Sequence, residues 1–206
     1  GPRMTAYLKD VDYLSGAAIA LPTELWHSLA GFDRLFSPAY CEDADLAFRV
    51  RAAGLRCVYQ PRSELIHHEG RSHGRDTTSG IKAYQVLNLQ KLVVRWKHVL
   101  EHEHFPNGED IFVARDRTRF KPHVLFIDHF VPQWDRDAGS RYMMNYLRFF
   151  QESGFQVVLW PDNLNEDRYY VRHLQQLGIE VIYSNAYADR FPQWFAVNAR
   201  WIDYVF

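Results

Sequence analysis

His123-Val124-Leu125-Phe126-Ile127-Asp128 is the stretch that decides the fold. It follows Pro122 and is a short apolar run, which reads as a buried strand. A helical pattern over 138–153 comes next, with Tyr142, Tyr146, Phe149 and Phe150 as its apolar face and Gly154 as its stop. Phe155–Trp160 reads as a second strand, Glu166–Leu177 as a helix closed by Gly178, and Ile179–Tyr183 as a third strand. A helix over Pro192–Ala199 and a strand from Tyr204 to Phe206 complete the series. Strands alternating with helices over short loops predict an α/β fold with a parallel, right-handedly wound sheet.

Towards the N-terminus the rhythm changes. Residues 102–121 are charged and carry the turn Pro106-Asn107-Gly108, which marks a boundary. Before it, Ile81–Leu100 has apolar residues at Leu89, Leu92, Val93, Trp96, Val99 and Leu100, the pattern of a long amphipathic helix. Its Lys, Arg and His residues read as a solvated face. Binding to a membrane surface is the sharper alternative, and the basic residues are too few to favour it. The expected organisation is a first domain over 4–104, a linker over 105–120 and a second domain over 121–206.

Within the first domain, Tyr40-Cys41-Glu42-Asp43-Ala44-Asp45-Leu46-Ala47-Phe48-Arg49 places three carboxylates at the start of a helix that Gly54 ends. One acid there is explained by the exposed N–H groups and the dipole of a helix start. Three are more than a cap needs. Asp45 and Arg49, at i and i+4, read as a structural ion pair. Upstream, Val11–Leu21 is small and apolar up to Pro22. It reads as a buried strand in which Ser15-Gly16-Ala17 lets a ligand or another backbone come close. A short helix through Leu25, Trp26 and Leu29 follows, stopped by Gly31, and then an aromatic loop, Phe36-Ser37-Pro38-Ala39-Tyr40. Residues 67–75, rich in His and Gly, read as a loop that could close over a site.

Composition excludes several functions. With 24 Lys and Arg against 25 Asp and Glu there is no basic field for nucleic acid. Cys41 and Cys57 supply neither a disulfide framework nor zinc-ligand spacing, which predicts a reducing, cytoplasmic compartment. No apolar run approaches the ~20 residues needed to span a bilayer. Gly1-Pro2 ahead of Met4 reads as a protease-cleavage scar, and the abrupt ends predict a piece of something larger. The fingerprint Gly-x-Gly-x-x-Gly of dinucleotide-binding proteins does not occur.

Taken in order, Ser15-Gly16-Ala17, Gly31-Phe32-Asp33, Glu42-Asp43-Ala44-Asp45-Leu46-Ala47-Phe48-Arg49, Gly54, Pro61 and His67-His68-Glu69-Gly70-Arg71-Ser72 resemble the C-terminal half of a family 2 glycosyltransferase of the GT-A type. Val131-Pro132 and Asp137-Ala138-Gly139-Ser140, after the strand quoted first, resemble the opening of a family 4, GT-B-type transferase with a Rossmann-like domain. The fold implied is thus the C-terminal half of a GT-A domain, a long linking helix and a partial Rossmann-like parallel sheet.

The resemblance implies roles. Asp43 would be the general base that takes the proton of an acceptor hydroxyl in an inverting transfer. Glu42, Ser15, Gly16 and Ala17 would bind substrate. His67, with His68 as the fallback, would ligate a divalent metal (Mn or Mg) on the donor diphosphate, the main ligands lying outside this chain. Asp43-Ala44-Asp45 has the spacing of the family's metal motif but opens a helix after the Gly-Phe-Asp turn, so it reads as acceptor-side chemistry. The implied partners are a nucleotide-sugar donor and a glycan acceptor, in bacterial surface polysaccharide synthesis, with the full-length protein cytoplasmic and peripheral to the inner face of the cell membrane. The competing expectation is a non-catalytic, transferase-derived module for glycan binding or domain docking.

Overall fold

A computed structural model describes residues 6–66 and 83–206. It divides into two compact units. One comprises the N-terminal residues to Lys9, Tyr59–Arg62 and Arg117–Phe206; the other comprises Asp10–Val58 and Ser63–Asp116. Two short strands, β1 (Lys9–Asp10) and β2 (Val58–Tyr59), pair with each other.

The unit that contains Arg117–Phe206 is an α/β sheet structure, as the alternation predicts. β3 (His123–Asp128) lies beside β4 (Gln156–Pro161), in parallel register from His123 opposite Gln156 to Asp128 opposite Pro161. β5 (Glu180–Val181) continues beyond β4, and β6 (Tyr204–Val205) pairs with the other edge of β3. The order is β5-β4-β3-β6, all parallel. The chain therefore winds outward from β3 and then returns to its opposite side. β4 is buried along its whole length, as parallel strands covered on both faces require. Val124, Phe126, Val157, Leu159 and Val181 form the core with Met144 and Leu147 of α6 (Ala138–Glu152) and with Val171 and Leu174 of α7 (Arg168–Gln176). Trp160 packs edge-on against Phe191 of α8 (Phe191–Asn198) at 4.9 Å.

α6 corrects one expectation. Its buried stripe is Ser140, Met144 and Leu147; Tyr142, Tyr146 and Phe149 are exposed and Phe150 is half-buried. Both stripes recur every three to four residues, and only the sheet decides which one faces inward.

The other unit is built on helices. α2 (Glu42–Ala52) is its centre, with Ala44 through Phe48 and Val50 buried. Leu46, Ala47, Val50 and Cys57 pack with Leu25 and Trp26 of α1 (Thr23–Ser28) and with Leu29 just after it. Ala44 packs with Phe36 and with Leu92 of α3 (Ala83–Arg95). α4 (Lys97–Glu103) and the short α5 (Ile111–Ala114) follow.

Two further expectations fail here. Val11–Leu21 forms no strand: it is irregular chain with a turn at Gly16-Ala17, and Ser15 to Ala18 are exposed. A strand needs a partner ladder, and among the described residues the pairing of β1 with β2 extends only as far as the bond from Val11 N to the Cys57 carbonyl (2.9 Å). The long helix is broken at Trp96 into α3 and α4, and α3 is turned about its axis relative to its apolar pattern. Asn88 and Leu92 are buried whereas Leu89 and Val93 are exposed; Lys91 and Arg95 bond to Asn88, the Leu35 carbonyl and Asp33, while Arg95, Lys97 and His98 stay exposed, as a solvated face requires.

Candidate functional site

The acidic helix start sits on an unusual approach. Tyr40 and Cys41, immediately before α2, have φ of 73° and 70°. Left-handed backbone costs a residue with a side chain roughly 1–2 kcal/mol, so something must hold this turn. Asn88 does so: its Nδ2 donates to the carbonyls of Phe36 (2.8 Å), Ala39 (2.8 Å) and Tyr40 (3.2 Å). Lys91 Nζ donates to Asn88 Oδ1 at 2.9 Å and to the Leu35 carbonyl at 3.0 Å. A buried amide thus grips the loop that delivers Glu42 and Asp43.

Asp43 and Asp45 face different ways. Asp43 is half-buried. Its Oδ1 accepts from Ala44 N and its Oδ2 from Gly16 N, both at 2.8 Å. The first of these satisfies an N–H that the start of α2 leaves open, since Cys41 at the N-cap makes no side-chain cap bond. The second ties the helix start to the Ser15-Gly16-Ala17 turn, in which Ser15 accepts from Ala18 N through its carbonyl (3.1 Å) and from Ala17 N through Oγ (3.3 Å). A side chain at Gly16 would place Cβ 3.5 Å from Asp43 Oδ2. The close approach expected at this glycine is therefore made by Asp43.

Asp45 is fully buried. Arg49 Nε donates to its Oδ2 at 2.7 Å, and Trp96 Nε1 donates to its Oδ1 at 2.9 Å, with Arg95 Nε 3.4 Å from the same oxygen. Arg49 also donates to the carbonyls of Leu29 (2.6 Å) and Gly31 (2.8 Å). Arg95 holds Asp33 at 2.6 Å, and this bond together with that from Leu35 N keeps the Asp33 carboxyl below the usual carboxylate range. The Gly31-Phe32-Asp33 turn and the interior acid of α2 are thereby one charged network. Asn88, Lys91, Arg95 and Trp96 are the participants that sequence reading missed. The available signal was the four-residue spacing of Asn88, Leu92 and Trp96, with a polar residue heading an apolar row.

Glu42 is half-buried, and its Oε2 is shielded from solvent without a hydrogen-bond partner among the described residues. A carboxylate oxygen in that state costs on the order of 1–3 kcal/mol until a donor reaches it. Burial and the negative charges of Asp43 and Glu42 push the Cys41 thiol above its usual range. The structure therefore brings together Ser15, Gly16, Ala17 and Asp43, with Glu42 beside them. His67 and His68 lie outside the described residues. Among the described residues no group of three or more His, Cys, Asp or Glu side chains is placed to hold a metal ion. An apolar cavity of about 300 Å³, lined by Leu14, Ile19, Leu46 and Val50 among others, includes neither Glu42 nor Asp43; Arg56 and Cys57 are its polar lining.

In the other unit, Asp137 caps α6: Ser140 N donates to Oδ1 at 2.7 Å and Ser140 Oγ to Oδ2 at 2.6 Å, which lowers the Asp137 pKa. The Gly139-Ser140 helix start is filled by the chain's own carboxylate, so an incoming phosphate would have to displace it.

Comparison with known proteins points in one direction. The chain is 34% identical over 91 residues to an N-acetylglucosaminyl-diphospho-decaprenol L-rhamnosyltransferase of Mycobacterium tuberculosis, a match spanning 40% of this chain and 29% of that protein. It is 38% identical over 63 residues to O-antigen biosynthesis protein RfbC of Myxococcus xanthus, across 31% of this chain and 5% of the relative. An uncharacterized protein y4gI of Sinorhizobium fredii is 30% identical over 84 residues, 41% of this chain and 9% of its own length. The chain thus spans less than a third of the curated relatives it matches. No family model matches, and no solved structure matches.

Proposed function

We propose that this chain is the acceptor-side part of a longer, inverting glycosyltransferase of the GT-A type that builds a bacterial surface polysaccharide, joined to the opening of a GT-B-type domain. The observation that carries this reading is the setting of Asp43. Its carboxylate is fixed by two backbone N–H groups, one from its own helix start and one from the Gly16 turn, and each oxygen keeps a further lone pair. A general base has to be held in one geometry within hydrogen-bond reach of the hydroxyl it deprotonates. The named relatives, a rhamnosyltransferase and an O-antigen biosynthesis protein, support the same class.

In the proposed step the acceptor hydroxyl gives its proton to Asp43 as its oxygen attacks the anomeric carbon of the donor sugar. The bond from that carbon to the nucleotide diphosphate breaks, and the electron pair leaves with the diphosphate on the opposite face. Glu42 receives a donor from the acceptor at its Oε2, which has no partner among the described residues, and the Ser15-Gly16-Ala17 turn forms the adjoining wall. A divalent metal, Mn or Mg, with His67 as one ligand belongs to the donor side. The described residues do not build that site. The donor is a nucleotide sugar and the acceptor a glycan.

Transfer measured with the whole protein tests this directly. Removing a positioned general base costs about 10²–10⁴-fold in rate, so Asp43→Asn should lower turnover by that factor and leave folding intact. Turnover near that of the parent would sink the assignment. Glycan binding by a protein whose transfer ignores both Glu42 and Asp43 would instead identify a non-catalytic module.

A further inference from the structure

α4 carries a histidine near each of its ends, on one side. His98 and His102 stand four residues apart, which on a helix is a net turn of about 40°. Both are exposed, and their ring centroids lie 4.1 Å apart. His102 Nδ1 is 2.8 Å from the His98 carbonyl oxygen. A carbonyl only accepts, so Nδ1 carries the proton, and in the neutral ring Nε2 is the bare nitrogen. Metal-binding imidazoles are held in this way, with one nitrogen spent on a carbonyl and the other presented to the ion. The mount is firm. Trp96, just before α4, stacks on Phe48 of α2 at 5.1 Å and donates to Asp45. His104, just after it, lies over the same Phe48 at 5.5 Å, and Glu103 accepts from Arg51 of α2 at 2.8 Å.

The donors select the ion. Two nitrogens bound to one tetrahedral cation at about 2.0–2.1 Å are about 3.3 Å apart, a spacing within reach of rings whose centroids are 4.1 Å apart. Imidazole suits zinc, nickel and copper, whereas magnesium and manganese prefer oxygen. Histidines four residues apart on one helix face are the ligand pair of helical zinc sites. His98-Val99-Leu100-Glu101-His102 even has the H-x-x-E-H order of one class of zinc hydrolase. Here Glu101 lies 3.7 Å from Lys97, and no third ligand converges on the pair among the described residues. The arrangement is therefore a two-point clip with water completing the ion, rather than a hydrolytic centre.

We propose that His98 and His102 together bind one borderline divalent cation, Zn²⁺, Ni²⁺ or Cu²⁺, on the outer side of α4. The proposal rests on α4 alone, independent of the transferase reading and of any Mn or Mg on the donor side. The bound ion bridges the first and last turns of this seven-residue helix. The test is titration of the 206-residue chain with Zn²⁺ and, separately, with Mg²⁺, followed by calorimetry and by the imidazole NMR resonances. Zn²⁺ should shift or broaden the His98 and His102 resonances together, and Mg²⁺ at the same concentration should leave them unchanged. His98→Ala and His102→Ala should each lower the Zn²⁺ affinity of this site at least about tenfold, and the double variant should abolish it. The urea midpoint of the metal-free double variant should match that of the parent, since both side chains already face water. Zn²⁺ should raise the parent's midpoint more than the double variant's. Resonances that millimolar Zn²⁺ leaves undisturbed, a response from only one of the two rings, or an equal response to Mg²⁺ overturns the proposal. So does unchanged Zn²⁺ affinity in the double variant, which assigns the ion to other histidines.

Discussion

Arg49→Lys separates an ordinary helix ion pair from a structural clamp. An i,i+4 pair with the spacing of Asp45–Arg49 stabilises a helix by about 0.3–0.5 kcal/mol when it is exposed, and lysine preserves most of that. In the structure Arg49 does more: Nε holds the fully buried Asp45, while Nη1 and Nη2 close on the carbonyls of Leu29 and Gly31. A hydrogen bond from a charged donor is worth about 1.5–3 kcal/mol. Lysine is a single point donor without the planar fork, so it can follow Asp45 or the carbonyls but not all three. The expected loss is about 2–3 kcal/mol for Arg49→Lys. For Arg49→Met, which leaves Asp45 with only Trp96 and the longer contact to Arg95, it is about 3–5 kcal/mol. Urea unfolding followed by circular dichroism, with the m-value checked against the parent because two units are present, measures both. If Arg49→Lys falls within about 0.5 kcal/mol of the parent, the fork is not holding the Gly31 turn and the clamp is refuted.

Asn88→Leu should cost about 2–4 kcal/mol in the same assay, because three loop carbonyls lose their shared donor and the left-handed Tyr40-Cys41 turn loses its restraint; a loss below about 1 kcal/mol would show that the loop holds itself. Gly31→Ala should cost about 2–3 kcal/mol, since φ is +65° and the new Cβ would lie 2.8 Å from Trp26 Cζ2, forcing the ring off its edge contact with Phe32. Gly16→Ala, by contrast, meets only ordinary contacts and should leave the unfolding midpoint unchanged. Acid should weaken the Gly31-Phe32-Asp33 turn: Asp33 has a folded pKa below its unfolded value of about 4. Its contribution is therefore complete above that value and lost as pH falls through the folded one. Arg95→Met should flatten that part of the stability profile below about pH 4.

The parallel sheet was legible because its strands are short apolar runs punctuated by Pro122, Gly154 and Gly178, and local signals agree with the observed register. The first unit was legible in its turns and less so in its faces. Val11–Leu21 has strand composition but finds no ladder beyond Val11 among the described residues, and composition carries no information about partners. On α3 and α6 the apolar pattern offered two stripes a fraction of a turn apart. Asn88 reversed the choice on α3, because a buried amide with three carbonyl partners outweighs the burial of Leu89 or Val93. The pairing of Asp43 with Gly16 spans 27 residues and depends on a folded turn, so no local rule could specify it.

The two aspartates of Asp43-Ala44-Asp45 divide the labour of α2, and helix geometry is the reason. Residues two apart point about 200° from one another around a helix, so they cannot converge on one ion while both remain on its first turn. Asp45 points inward and is consumed by Arg49 and Trp96; Asp43 points to the Gly16 turn and keeps lone pairs for a visitor. Neutralising each should then give opposite signatures. Asp45→Asn leaves Arg49 without its buried counter-charge and should lower stability by about 3 kcal/mol or more. Asp43→Asn loses at most one backbone bond, since the amide oxygen can still accept from one N–H, and should cost about 1 kcal/mol or less while removing the proton acceptor. Equal losses of stability in the two variants would mean that Asp43 is a cap like any other. A stable Asp43→Asn protein that has lost transfer would leave the helix standing without its base.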